Sequence, residues 1–288
     1  CVISQQANHL DFEIKLSDVK TKNRSFDELL DYFKSFDIVK QIEDYKSNTG
    51  TSKLKKFQAL KNFLKNDGQN SNQTNYTYYG RNRSKVLLFE IKKSRQVQKR
   101  YSFINKNLGR SIPQNKKFIY YPLHIEQERN LLLAAPFFTN QIELIRNIAK
   151  SLPINYKLLV KEHPAQETRE WRNISDYKEI MKISNVILIH PTVPSQKILE
   201  KCSLVVTIGG TTGLEAAFYR KPSIILSEMD YSILPSVELV QDVHKLSNKI
   251  KESLEKEVNA NDLDRFIQIY EKNSFEFDYM DFVTKYHE

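Results

Sequence analysis

The stretch VVTIGGTTGLEAAF, residues 205–218, passes from an apolar, β-branched segment into a cluster of glycines and threonines. Three of the seven glycines in the 288-residue chain fall within five positions of it. This order is typical of a buried strand that turns sharply into a helix, because glycine permits tight turns and the close approach of another group. In a parallel sheet such a turn lies at the carboxyl edge, where ligands bind.

Short apolar runs alternate with helical segments on both sides of this turn. The apolar runs lie at residues 116–121, 157–160, 186–190, 204–208 and 223–226. Between them, one helix is predicted to begin at Asn140, with Glu143 at capping-box spacing, and to stop at Pro153. The alternation predicts an α/β fold, with a Rossmann-like parallel sheet of about five strands covered by helices on both faces. Residues 232–288 are predicted to be mostly helical.

Charge is distributed unevenly along the chain. Residues 1–115 contain 22 Lys and Arg against 11 Asp and Glu, whereas residues 116–288 contain 22 against 24, so the net charge of +9 belongs to the first part. Two segments there, at 53–66 and 84–107, predict basic amphipathic helices. Such helices suit a solvated surface or anionic lipid headgroups. Nucleic acid is not an expected partner, because the segments contain no recognisable reader motif.

Composition bounds the class of protein and its location. With 40% hydrophobic residues the chain is globular. It has no signal-peptide pattern and no apolar run near the roughly 20 residues of a spanning helix. We therefore expect a cytoplasmic protein, with peripheral contact at the inner face of the membrane. Cys1 and Cys202 form neither a disulfide framework nor a metal spacing. A chain that begins at Cys1 suggests a fragment of a longer protein.

The charge and strand patterns together predict three regions. Residues 1–115 would form a basic, mainly helical region, and residues 116–260 the Rossmann-like domain. Residues 261–288 would form C-terminal helices that pack back on it.

Polar side chains follow the first three predicted strands as well as the fourth. Because the carboxyl ends of parallel strands share one edge, we expect these side chains to converge on the glycine-rich turn. They are His124, Glu126 and Glu128 after the first strand, Lys161, Glu162, His163 and Pro164 after the second, and His190 and Ser195 after the third.

The glycine-rich turn is predicted to hold phosphate. Gly209 and Gly210 let a ligand approach, and Thr211 and Thr212 can cap the next helix, whose free N–H groups attract an anion. Glu215 would either partner the helix dipole or hydrogen-bond a ribose. The turn matches neither the GxGxxG fingerprint nor the Walker loop, so a tight turn with threonine caps and no ligand is the alternative.

Three segments in order, YYPLHIEQERN, LLVKEHPA and LVVTIGGTTGLEAAFYRKPSII, resemble the capsule polysaccharide biosynthesis family, relatives of the bacterial Kdo and sialic acid transferases. The resemblance covers residues 116–235. It implies the GT-B fold, in which two Rossmann-like domains face a cleft and the C-terminal one holds most of the nucleotide sugar. Residues 1–115 do not show the pattern of an N-terminal GT-B domain.

The resemblance implies a glycosyltransferase that moves a sugar from a nucleotide-sugar donor, CMP-Kdo-like by preference, to a glycan or glycolipid acceptor. It implies no metal and no separate cofactor. The donor-binding residues that it implies are Lys161, His163, Pro164, Gly209, Gly210, Thr211, Thr212 and Glu215. His124 and Glu128 are the candidates for catalytic base or nucleophile, and a structural role for either is the alternative.

Two other classes of function stay open. A sugar-nucleotide epimerase of similar architecture would use the same phosphate loop, but would convert its donor with no acceptor present. A non-catalytic nucleotide-binding module that lacks the first Rossmann domain would bind nucleotide and turn over nothing. The missing N-terminal pattern favours this second alternative.

Overall fold

The computed structural model describes residues 2–4, 16–35, 58, 61, 83–114, 116–126, 130–163, 166 and 172–276. The chain forms two compact units, Cys1–Phe36 with Ile104–Tyr279, and Asp37–Phe103 with Met280–Glu288. Most of the helix predicted at 53–66 lies outside the described residues, and so do Glu128 and Pro164. The predicted boundaries of the three regions stay predictions.

A six-stranded parallel sheet forms the centre of the first unit. The strands in the described residues are β1 (Val2–Ser4), β2 (Lys117–Pro122), β3 (Tyr156–Lys161), β4 (Val186–Ile189), β5 (Leu204–Thr207), β6 (Ser223–Ile225), β7 (Val237–Leu239) and β8 (Ser274–Glu276). The order across the sheet is β4-β3-β2-β5-β6-β7, and β1 pairs with β8 in an antiparallel ribbon. The strand order therefore reverses between β2 and β5, which makes a crevice at their carboxyl ends.

The predicted α/β class and Rossmann-like sheet are confirmed, and all five predicted strands are present. The sheet has one more strand than predicted, because β7 falls within a segment interpreted as mostly helical. β7 is only three residues long, contains Glu238 and lies at the sheet edge beside β6. A strand that short and partly charged gives no apolar run to recognise.

Helices cover both faces of the sheet. The described α-helices of the chain are α1 (Phe26–Ser35), α2 (Arg83–Asn107), α3 (Gln141–Ser151), α4 (Ile174–Met181), α5 (Ser195–Leu199), α6 (Thr212–Phe218), α7 (Leu246–Leu254) and α8 (Ala260–Lys272). One face buries alternate strand residues such as Tyr120 and Val205 against α1, α5, α6 and α8. Helices α3, α4 and α7 pack on the other face. Every described helix is too short or too polar to cross a lipid bilayer.

Local signals explain where α3 begins. The side chain of Asn140 accepts a hydrogen bond from the Glu143 N–H at 3.2 Å, so the predicted N-cap is confirmed. Leu144, Ile145 and Ile148 of this helix are buried against the sheet. The first residue of the helix, Gln141, is also buried although it is polar.

The described segment 16–35 is hydrogen-bonded to α8. Asp264 is fully buried and accepts hydrogen bonds from the Thr21 hydroxyl at 2.7 Å, the Lys22 N–H at 2.5 Å and the Arg24 guanidinium at 2.5 Å. These bonds hold the pKa of Asp264 below its usual value although burial raises it. Leu29 of α1 lies in the same core as the sheet residues.

The second predicted basic helix is present as α2. Its apolar residues do not form one buried face: Val86 is buried, whereas Leu88 and Ile91 are at least half exposed. Because residues 86–89 are four successive apolar positions, at about 100° per residue they surround most of the helix. The prediction of a single amphipathic face is therefore wrong for α2.

Candidate functional site

His124 and Thr207 meet where the strand order reverses. Thr207 ends β5, and His124 follows β2 by two residues. The His124 Nε2 atom lies 2.9 Å from the Thr207 hydroxyl oxygen and 3.2 Å from the backbone nitrogen of Ile208. Because the Ile208 N–H can only donate, Nε2 accepts, and this hydrogen-bond pattern assigns the ring proton to Nδ1. The Thr207 oxygen also accepts from the Gly210 N–H at 3.3 Å.

The His124 ring is neutral at pH 7. Burial is the main cause that lowers its pKa, and with the electrostatic influence of His163 and Arg172 the value falls to about 4. The Leu123 N–H donates to the Lys161 carbonyl at 2.8 Å, so the segments after β2 and β3 lie near each other. The structure thus brings together His124, His163 and Gly210, which the sequence predicted at three separate strand ends.

The three glycines of the turn are required by close packing. A Cβ atom added at Gly210 would lie 3.0 Å from His124 Cε1, and one at Gly213 would lie 2.7 Å from the Tyr231 hydroxyl. One at Gly209 would lie 2.5 Å from the hydroxyl oxygen of Ser227. None of the three glycines adopts the left-handed backbone region. The approach of a ligand at Gly209 and Gly210 stays a prediction, since the groups that approach the three glycines in the structure are the protein's own side chains.

The turn contains backbone donors that have no partner in the described part of the protein. Within the described residues, the N–H groups of Gly209, Thr211 and Thr212 have no hydrogen-bond acceptor. Thr211 precedes α6, but its hydroxyl donates to Glu215 at 2.8 Å and does not cap the helix, so the predicted threonine cap is wrong there. Since α6 has only seven residues, its dipole is a small part of any attraction for an anion.

Lys161 and Glu215 place opposite charges at the same edge. Lys161 ends β3, is buried, and donates to the Ser195 hydroxyl at 2.8 Å. Burial lowers the pKa of Lys161 to about 8, while attraction to Glu215 opposes this shift. Burial likewise raises the pKa of Glu215, and the bond from Thr211 and the charge of Lys161 oppose it. Both groups therefore titrate closer to neutrality than usual.

A buried ionic network fixes the segments after β2 and β3. Glu162 is fully buried and accepts from Arg172 Nε at 2.9 Å, the Tyr177 hydroxyl at 2.9 Å and the His163 N–H at 2.8 Å. Arg172 also donates to Glu126 and to the backbone carbonyl of His124. One guanidinium therefore orders both histidine-bearing segments.

Some site residues have no signal in the sequence pattern. Arg172, Thr207 and Gln141 hold His124 in place, yet only Thr207 lies in a recognisable strand-end motif. The predicted His190 belongs to a separate cluster, where it accepts from the Thr192 N–H at 3.2 Å and lies 3.2 Å from Arg110.

Across the described segments, no three His, Cys, Asp or Glu side chains are grouped so that they could hold a metal ion. The triplet Asp262-Leu263-Asp264 has a DxD spacing, but it lies in α8. There Asp264 bonds Arg24, and Asp262 bonds Arg265 at 3.2 Å.

The chain spans about half the length of the solved structures that it matches. The β-Kdo 2,7 transferase KpsC of Thermosulfurimonas dismutans is 17% identical, with 53% of this chain and 50% of that chain covered and a TM-score of 0.34. The UDP-GlcNAc 2-epimerase of Neisseria meningitidis, solved with UDP-GlcNAc, is 20% identical, with 66% and 50% covered and a TM-score of 0.40. The corresponding values for the UDP-GlcNAc 2-epimerase of Methanocaldococcus jannaschii are 18%, 60%, 49% and 0.40.

At this level of similarity the activities of those proteins do not transfer to the chain. No curated protein matches it. The sequence profile described as capsule polysaccharide biosynthesis protein matches residues 19–268, which is most of the chain and includes every described residue of the site. The chain therefore belongs to the capsule polysaccharide biosynthesis protein family.

Proposed function

We propose that the chain is a glycosyltransferase of capsule or surface polysaccharide biosynthesis. It would transfer a sugar from a nucleotide-sugar donor, CMP-Kdo-like by preference, to a glycan or glycolipid acceptor. The observation that carries the proposal is the contact of His124 with Thr207 and Gly210 at the point where the strand order reverses. Crevices of this kind hold nucleotides in open α/β sheets.

The glycine-rich turn has hydrogen-bond donors of the kind that a phosphate leaving group needs. The N–H groups of Gly209, Thr211 and Thr212 would bind phosphate oxygens, and the charge of Lys161 would favour the anion. Such fixed donors stabilise negative charge as it develops on the departing phosphate, and they do not have to reorganise. We propose that this stabilisation, with no metal and no separate cofactor, supports the transfer.

His124 is better suited to donate a proton in a hydrogen bond than to accept one. Its Nε2 lone pair already faces the Ile208 N–H and the Thr207 hydroxyl. We propose that its Nδ1–H donates to the donor phosphate and that Glu128 supplies the base.

The remaining predicted residues would hold the nucleoside. We propose that His163 and Pro164 contact the nucleotide and that Glu215 binds the ribose hydroxyls. The Thr211 hydroxyl donates to one carboxylate oxygen of Glu215. The second carboxylate oxygen of Glu215 would accept from the ligand.

We also propose that the protein works at the cytoplasmic face of the membrane. The basic excess before residue 115, which includes the exposed basic side chains of α2, supports contact with anionic headgroups. Binding to anionic liposomes should weaken as salt rises, because exposed charges are screened over about 8 Å at physiological ionic strength. Binding that is absent or independent of salt would remove this part alone.

One observation favours a second candidate, a nucleotide-binding module without turnover. The described residues contain a single parallel sheet, whereas the GT-B fold has two. Incubation with CMP-Kdo, with and without a glycan acceptor, followed by product analysis distinguishes the two candidates. It also detects an epimerase, which would convert the donor alone.

A thermal-shift panel of CMP, UDP, GDP and their sugar conjugates tests the proposal. A ligand that binds only the folded chain raises its melting temperature by mass action. We expect at least one nucleotide to raise it, with CMP first. A panel without any shift at millimolar ligand would contradict the proposal.

A further inference from the structure

A cavity of about 820 Å³ opens beside the glycine-rich turn. None of the residues that line it was predicted from the sequence to bind a ligand. Its walls come from residues 134–138, from one side of α3 with Asn140 before it, from residues 226–228 after β6, and from Gln241 and Val243 after β7. Small-molecule sites in proteins occupy about 300–1,000 Å³. The cavity is therefore large enough for one or two sugar rings.

The lining combines an exposed aromatic ring with uncharged and acidic hydrogen-bonding groups. Phe137 is 93% exposed, so its ring is free of neighbouring protein over almost its whole surface. Asn147, Ser227, Glu228 and Gln241 supply amide, hydroxyl and carboxylate groups. Sugars present an apolar C–H face and a rim of hydroxyls, which match a ring and such polar groups respectively.

The charges of the described lining residues disfavour an anionic ligand. Among the described residues that line the cavity there is no Lys, Arg or His, and two are glutamates, Glu143 and Glu228. Arg146 bonds Glu143 at 3.2 Å, but it also bonds Glu179 at 2.5 Å, so it does not leave the cavity positive. Like charges in one site repel, so phosphates and acidic sugars are disfavoured there.

Ser227 connects the cavity with the glycine-rich turn that is proposed to bind phosphate. The hydroxyl oxygen of this lining residue lies 2.5 Å from where a Cβ atom of Gly209 would be. A ligand in the cavity would thus lie next to a donor held by the turn.

We propose that this cavity binds a neutral saccharide unit of the acceptor, with the Phe137 ring against the sugar face and Glu228 accepting from its hydroxyls. The inference rests on the proposed glycosyl transfer for the name "acceptor", but binding of a neutral sugar at Phe137 can be tested without it.

Saturation-transfer NMR of the full chain with maltose, lactose, cellobiose and diacetylchitobiose tests the proposal, with 3′-sialyllactose as the anionic comparison. We expect at least one neutral disaccharide to bind. Its affinity should fall about fivefold in Phe137→Ala, since stacking on an aromatic ring contributes on this scale. A similar fall is expected in Glu228→Gln, whereas Phe137→Tyr should bind as the parent chain does.

Leu133→Ala is the matched control, because Leu133 is 71% exposed in the same segment but does not line the cavity. It should leave binding unchanged. The proposal is overturned if no neutral disaccharide binds, if Phe137→Ala binds as tightly as the parent chain, or if sialyllactose binds most tightly.

CMP binding by the same samples is scored separately. Nucleotide binding without any saccharide binding would overturn the cavity proposal and leave the proposed function standing. Saccharide binding that depends on Phe137, without nucleotide binding, would support the cavity and contradict the proposed function.

Discussion

The side-chain amide of Gln141 holds both backbone polar groups of His124. Its Oε1 atom accepts from the His124 N–H at 2.8 Å, and its Nε2 atom donates to the His124 carbonyl at 3.0 Å. Gln141 is 2% exposed, so these bonds are shielded from water. The backbone at His124 is therefore fixed before any ligand arrives, and the ring can keep its contact with Thr207.

We expect Gln141→Met to destabilise the fold and weaken nucleotide binding together. The change removes both bonds and leaves the partly buried His124 N–H without a partner, which costs about 1–3 kcal/mol. Urea denaturation measures the first effect and calorimetry with CMP the second. Gln196→Met, at an exposed position of α5, should change neither. Equal stability of the two variants would show that the two hydrogen bonds from Gln141 to the His124 backbone do not stabilise the fold.

Gly213→Ala should destabilise the chain by about 1–3 kcal/mol, because overpacking forces neighbouring groups to shift. The new methyl group would lie 2.7 Å from the Tyr231 hydroxyl and 2.9 Å from its ring. Gly109→Ala is the matched control, since nothing lies within 4 Å of its added Cβ atom. Urea unfolding of both variants decides the point, and a Gly213→Ala chain as stable as Gly109→Ala would contradict the packing at the turn.

Nucleotide affinity should fall as pH rises through about 8. The pKa of Lys161 is lowered to about 8 by burial, so this side chain loses its positive charge above that pH. CMP keeps its full negative charge as the pH rises through about 8. It therefore loses the attraction of the Lys161 charge when Lys161 becomes neutral. Calorimetry between pH 7 and 9.5 measures the effect. Lys161→Met should bind more weakly and without this pH dependence; an unchanged pH dependence would assign it to another group.

The sheet was predictable because its strands are apolar runs that begin and end with clear signals. The runs before His124, Lys161 and Gly209 each gave a strand in the expected place. β7 was not predictable, since three residues with a central glutamate carry no periodicity. The prediction of one apolar face on α2 was wrong, because four successive apolar residues include pairs at helical spacing but surround most of the helix.

The convergence of His124 with the glycine turn was also predictable, because parallel strands deliver their carboxyl ends to one edge. The groups that hold His124 were not. Gln141 lies 17 residues further along the chain and Arg172 lies 48 residues further along. Each comes from a segment whose pattern indicates only a helix or its start, and such contacts depend on packing that no local spacing encodes.

Calorimetric titration of CMP into the parent chain, His163→Ala and the double variant Thr211→Ala/Thr212→Ala tests the central claim most directly. His163 follows β3, Thr211 and Thr212 follow β5, and His244→Ala, at an exposed site beyond β7, is the control. We expect the dissociation constant to rise about tenfold in both site variants, equivalent to about 1.4 kcal/mol, with melting temperatures and the control unchanged. Binding as tight as that of the parent chain in both site variants would contradict a nucleotide site at this edge.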